Sequence, residues 1–206
     1  MQMVNVVAVK VSRYKSMHRD LSKNYFELFA LPQSYAVDEA NLSQQFRIRQ
    51  ASVHPDKFVN ASDADKRLSM QQATLTNEAH ETLKSPLRRA LYLLRLQSYD
   101  PDANKVQLDP AFLMEQMMLR ESVSEAPHQD DPYDTLDEIG DQVIAQKKAM
   151  IRSIQNAFGH SEPEYDTIHV MTQKLQFFDK LIAEISHMED RKSTRLNSSH
   201  HGISYA

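Results

Sequence analysis

The sequence predicts an all-α protein, and three observations carry that expectation. Glycine is nearly absent, at 3 residues in 206, while Met alone contributes 10, and long unbranched side chains favour helix over strand. Apolar residues recur at spacings of three and four through the last third of the chain. The pairs Ser85-Pro86 and Asp109-Pro110 each read as a helix cap followed by proline in the first turn, where its missing N–H costs nothing.

The elements follow in order. Tyr25, Phe26, Leu28 and Phe29 form a short apolar helix stopped near Pro32. Asp38 caps a second helix with Leu42, Phe46 and Val53 along one face, ended by Pro55. A loop runs from His54 to about Ser62. A third helix runs from about Asp63 to Leu83, with Leu68, Leu75, Ala79, Thr82 and Leu83 facing inward. A fourth starts at Ser85-Pro86 and passes through Leu91, Leu94 and Leu96. Residues 97–108 are polar, contain Pro101 and read as a linker. Asp109-Pro110 opens a helix to about Glu125, and Ala126 to Asp134, with two prolines and three aspartates, reads as a loop. Leu136, Ile139, Val143, Met150, Ile154 and Phe158 form one long stripe. Ile168, Met171, Leu175, Phe178, Ile182 and Ile185 form another, and the turn between them is bracketed by Gly159 and Pro163. Two such stripes suit an antiparallel bundle.

Both ends stand apart. Residues 1–23 are valine-rich and basic, and read as a disordered or non-native extension, with an organellar targeting peptide as the alternative. Residues 191–206 are rich in Ser and His without an apolar period, and read as a disordered tail, possibly a cloning artefact; His200-His201 there make no metal site.

Composition removes several function classes. The net charge of −4 argues against a general nucleic-acid binder, which needs a basic surface. No cysteine is present, so disulfides, thiolate metal centres and cysteine catalysis are excluded. The three isolated glycines cannot build a phosphate-cradling loop. No apolar run approaches the roughly 20 residues of a membrane span. Nine histidines invite a metal-hydrolase reading, but no His-Glu-x-x-His spacing and no nucleophile elbow occur. His80, His160, His169 and His187 read as surface or internally satisfied residues.

The sharpest local feature is His54-Pro55-Asp56-Lys57 between two helices. Proline stiffens such a loop, so an imidazole and a carboxylate project with little entropy left to lose on binding. A fixed carboxylate can accept a bidentate arginine from a partner. The plainer alternative is a helix stop with a solvated aspartate. A second feature lies after Asp109. Phe112, Leu119 and Val123 already make an inward stripe, yet Leu113, Met114, Met117 and Met118 widen the apolar face, with Glu121 and Glu125 at its edge. Methionine suits an adaptable binding surface, and an apolar patch rimmed by charge marks a partner site. Phe177 likewise falls off the stripe of Leu175 and Phe178. The alternative is a helix buried on two sides.

The context of these motifs sharpens their meaning. The helix, the His-Pro-Asp loop and a long helix ending in Asn77-Glu78-Ala79-His80-Glu81-Thr82-Leu83 and Ser85-Pro86 resemble a J domain. Asn24-Tyr25-Phe26-Glu27-Leu28-Phe29, His54-Pro55-Asp56-Lys57-Phe58, Arg89-Ala90 with Tyr92-Leu93-Leu94, and Ala111-Phe112-Leu113-Met114-Glu115-Gln116 together resemble the HscB-type co-chaperones of iron–sulfur cluster biogenesis. The resemblance covers about Asn24 to Asp190. It implies a J domain over residues 24–96 and a three-helix scaffold-binding domain over 109–190. It also implies that the chain is not an enzyme and holds no cofactor of its own. Its partners would be an HscA-type chaperone of the seventy-kilodalton heat-shock class and an IscU-type iron–sulfur scaffold protein. Chaperone binding would fall on His54, Pro55, Asp56, Lys57 and Arg47, and scaffold binding on Leu113, Met114, Met117, Glu121, Glu125 and Phe177. A J protein with another client in its bundle is the rival. A chain without cysteine lacks the zinc module of some eukaryotic relatives, which favours the bacterial, cytoplasmic form, a monomer with a weak dimer as the alternative. Three positions depart from the family pattern. Arg49 stands where a core leucine is usual, with Ile48 expected to fill the gap by a small rotation of the helix. Val53 replaces a tyrosine, and Met118 replaces a frequent glutamate.

Overall fold

A computed structural model describes residues 22–200; the side chains of Pro55 and of residues 189–200 fall outside the description. So do the readings of residues 1–21 and 201–206. The described chain contains seven α-helices and no strand: α1 (Tyr25–Leu28), α2 (Glu39–Val53), α3 (Asp63–Lys84), α4 (Pro86–Leu96), α5 (Pro110–Glu125), α6 (Pro132–Phe158) and α7 (Tyr165–His200). A 3-10 turn spans Pro55–Phe58. The chain divides into two compact units between Leu93 and Leu94.

In the first unit, side chains start the helices where the sequence supplies them. Asn24 Oδ1 accepts from the Glu27 N–H at 2.9 Å, and Glu27 Oε2 accepts from the Asn24 N–H at 3.0 Å. That reciprocal box satisfies two otherwise orphaned donors. Asp38 caps α2 by accepting from Ala40 and Asn41, and Ser62 caps α3 by accepting from Asp65. The apolar centre holds Phe26, Phe29, Leu42 and Leu83, all essentially inaccessible. Burying four side chains of this size contributes on the order of 1.5–3 kcal/mol each. Tyr92 stacks on Tyr25 with ring centroids 4.3 Å apart and accepts the Tyr25 N–H at 2.9 Å. Burial and a hydrogen bond to Glu78 push the Tyr25 hydroxyl up to about 12. Arg89 is buried, donates to the Leu83 carbonyl at 2.9 Å and lies over the Tyr35 ring. It thereby closes the exposed carbonyl end of α3.

The α2–α3 hairpin differs from expectation. Leu75 and Thr82 are half-buried, whereas the fully buried positions on α3 include Ser69, Gln72 and Thr76. Ile48 does not fill the space left by the absent leucine: it is 57% exposed. Arg49 turns to α3 instead, donating from Nη2 to Gln72 Oε1 at 2.7 Å and from Nε to Thr76 Oγ1 at 3.3 Å. The planar guanidinium meets two acceptors on α3, which orients Arg49 toward that helix and leaves Ile48 in water.

In the second unit, α5, α6 and α7 enclose a core of Phe112, Leu119, Val123, Leu136, Ile139, Val143, Phe178, Leu181 and Ile185. The expected stripes face inward, and Leu181 joins them. The segment 126–134 is not all loop. Asp131 accepts from the Asp134 N–H, Pro132 takes the first turn, and α6 starts there, the same cap-plus-proline device that opens α5 at Asp109-Pro110. Helix α7 continues to His200, past the end expected near Asp190. A helix already nucleated over its packed part gains a hydrogen bond per added residue and needs no apolar stripe to propagate.

Residues 97–108, read as a linker, group with the second unit. Helix α4 ends as Ser98 adopts φ 60° and the Tyr99 N–H reaches back to the Leu94 carbonyl, a left-handed helix cap. The Tyr99 hydroxyl then donates to Asp166 Oδ1 at 2.6 Å and lies 3.2 Å from His169 Nδ1. Burial and Asp166 together push the Tyr99 phenol up to about 12. His169 is 4% exposed. Burial pushes its pKa down, against the opposing pull of Asp166 and Asp102. A lowered folded-state value means that the folded protein resists protonation. The resulting stability is complete above the ordinary histidine value of about 6.5 and is lost as pH falls from there through the folded value. Thermal melts between pH 7.5 and 5 should therefore show a falling midpoint, and His169→Gln should flatten that slope. An identical slope in the variant would assign the dependence elsewhere.

Candidate functional site

The His-Pro-Asp loop sits where α2 stops. Pro55 supplies no N–H to continue the helix ladder, so the chain tightens into the 3-10 turn Pro55–Phe58, closed by the Lys57 N–H on the His54 carbonyl at 3.0 Å. His54 Nδ1 accepts from the Asp56 N–H at 3.3 Å and lies 3.5 Å from Asp56 Oδ2. The Asp56 side chain is 86% exposed and that of His54 54%. Lys57 is exposed as well, and Phe58 is buried. The result is a short, locally bonded turn, anchored by an aromatic side chain, that presents a carboxylate to water. Arg47 is exposed on α2, two turns ahead of the loop, about 10 Å along the helix axis.

The second surface lies on α5. Phe112, Gln116, Leu119 and Val123 face the core. The opposite face carries Leu113 at 39%, Met114 at 61%, Met117 at 68% and Met118 at 62% exposure. Glu121 and Glu125 are exposed at its C-terminal end. The alternative of a helix buried on both sides does not hold among the described residues. Phe177 is half-buried and packs against the core. Its ring meets Phe112 edge-on at 5.9 Å, and Phe178 meets Phe112 from another side at the same distance. It therefore packs against the core-facing side of α5 through Phe112. Lys174 Nζ sits 4.9 Å over the Phe112 ring. Among the described residues no group of His, Asp and Glu could hold a metal ion, and no helix is long and apolar enough to cross a membrane.

Comparison with known proteins places this arrangement. The family profile described as "HSCB C-terminal oligomerisation domain" matches residues 108–186. The co-chaperone protein HscB homologue of Shewanella halifaxensis is 41% identical over 177 residues, covering 81% of this chain and 97% of that protein. The chain belongs to the HscB co-chaperone family. Chaperone HscB from Vibrio cholerae has a similar structure, with a TM-score of 0.75 at 40% identity over 82% of this chain and 99% of that one. The human co-chaperone protein HscB matches with a TM-score of 0.72 at 28% identity, over 82% of this chain and 83% of that one.

Within the HscB family resemblance, the motif residues divide by what they touch. Phe26, Arg89 and Ala90 are buried inside the first unit, and Phe112 inside the second. Asp56, Met114 and Met117 are exposed, and Asp56 contacts its neighbour His54. Sequence reading missed the polar contacts of Arg49 and the Tyr99–His169 pair. No local pattern announces a hydrogen bond between residues 27 or 70 positions apart.

Proposed function

We propose that this chain stimulates the ATPase of an HscA-type chaperone through its His54–Asp56 loop, and presents to that chaperone an IscU-type iron–sulfur scaffold held on its α5 face. The observation that carries this reading is the α5 face itself. Four large apolar side chains stay in water on a helix whose other side is fully packed, which a self-contained bundle does not need. Leu113, Met114 and Met117 form the contact, Glu121 and Glu125 its polar rim, and Phe177 its base. The chain makes and breaks no bond itself. Asp56 accepts hydrogen bonds from a cationic group of the chaperone, His54 orders the turn, and Lys57 and Arg47 meet acidic surface around it, raising the association rate more than the affinity. Preferential binding to the hydrolysis-competent state of the chaperone shifts its equilibrium toward that state. The relatives named above from Shewanella and Vibrio are bacterial, which supports action in a bacterial cytoplasm.

Capture of a purified IscU-type scaffold by the immobilised chain tests this reading against that of a J protein with another client. Retention that a small excess of free chain abolishes is expected. Absence of retention would leave the α5 face to some other partner.

A further inference from the structure

Apolar packing is not all that holds the α2–α3 hairpin. Ser69, Gln72 and Thr76 are buried on α3. The Ser69 hydroxyl donates to the Val53 carbonyl at 2.8 Å. Arg49 donates to Gln72 and Thr76, and the Thr76 hydroxyl donates back to the Gln72 carbonyl at 2.6 Å. Val53 is the last residue of α2, and His54 follows it directly. The last carbonyls of a helix have no helical partner, and Pro55 removes a further donor. The carbonyl that precedes the loop is thus tied down by a side chain of the opposite helix.

We infer that Ser69 is a positioning residue for the His54–Asp56 loop, with the Arg49–Gln72–Thr76 contacts fixing the register of α2 against α3 behind it. The inference rests on the proposed chaperone-binding role of that loop. The loop is pinned at both ends: Ser69 holds the carbonyl before His54, and buried Phe58 holds the exit. An apolar side chain at position 69 would fill space, but only a hydrogen bond fixes direction. Direction matters here because the loop's value to a partner lies in being set before binding. Arg49 fits the same logic. Leucine there would bury area without selecting one register, whereas its two donors meet acceptors one helical turn apart on α3.

Ser69→Ala, Ser69→Thr and Asp56→Asn are compared for maximal stimulation of HscA-type ATP turnover, half-saturating concentration and amide exchange of His54, Asp56 and Lys57. Alanine keeps the helix, so circular dichroism and scaffold capture are expected to be unchanged. Ser69→Ala should lower maximal stimulation about three- to tenfold, the scale of one hydrogen bond. The loop amides should exchange faster even with no chaperone present, and Ser69→Thr should restore both. Equal impairment by Ala and Thr would assign the effect to volume and overturn the inference. Unaltered loop amides and full stimulation in Ser69→Ala, beside an inactive Asp56→Asn, would overturn it alone. An unaffected Asp56→Asn would overturn the loop's assignment and this inference with it.

Discussion

Asp56→Asn is expected to abolish stimulation of the chaperone ATPase while leaving the fold, the melting temperature and scaffold capture as they are. The carboxylate lies almost wholly in water, so its replacement removes little from the folded state. The amide keeps the shape of the turn, and the Asp56 backbone N–H that His54 accepts is untouched. What disappears is the charge. Breaking one side of a desolvated ion pair costs about 3–5 kcal/mol, a factor of about 150 to several thousand in the coupling. Steady-state turnover at saturating co-chaperone checks this. Stimulation within twofold of the parent would show that the loop does not make the productive contact.

The second large effect belongs to the other unit. Replacing Leu113, Met114 and Met117 together by Ala should weaken scaffold binding at least thirtyfold, since a few central apolar anchors carry most of an interface's energy, about 2 kcal/mol or more in sum. Stability should hold, because these side chains are already exposed on a helix and alanine is the better helix former. Adding Phe177→Ala should weaken binding further and lower the melting point too, because that ring also packs on Phe112. Calorimetric titration with the scaffold reads the affinity. An unchanged dissociation constant for the triple variant would remove α5 from the interface.

Particular residues show what the sequence made legible. The loop could be read because its chemistry is contiguous: proline stops α2 and forces the adjacent histidine and aspartate outward. The α5 face could be read because Phe112, Leu119 and Val123 complete the inward stripe, leaving Met114 and Met117 without a place inside. The start of α6 was masked because Pro127, Asp130 and Asp131 crowd around the Asp131-Pro132 signal. The hairpin seam was hidden for a different reason. A count of apolar spacing passes over Ser69, Gln72 and Thr76, whose burial depends on partners contributed by α2. Tyr99 lies in a stretch that reads as linker because its anchor, Asp166 and His169, is on a helix far along the chain.

The central claim is that one chain couples a nucleotide-driven chaperone to its cargo through two separate exposed surfaces. Steady-state ATP turnover by an HscA-type chaperone, with this chain and the scaffold each present or absent, tests it most directly. Each addition alone should raise turnover, and the two together should raise it by more than the product of the separate effects. Turnover that stays at the basal rate with this chain present, or that rises no further when the scaffold is added to it, would contradict the account.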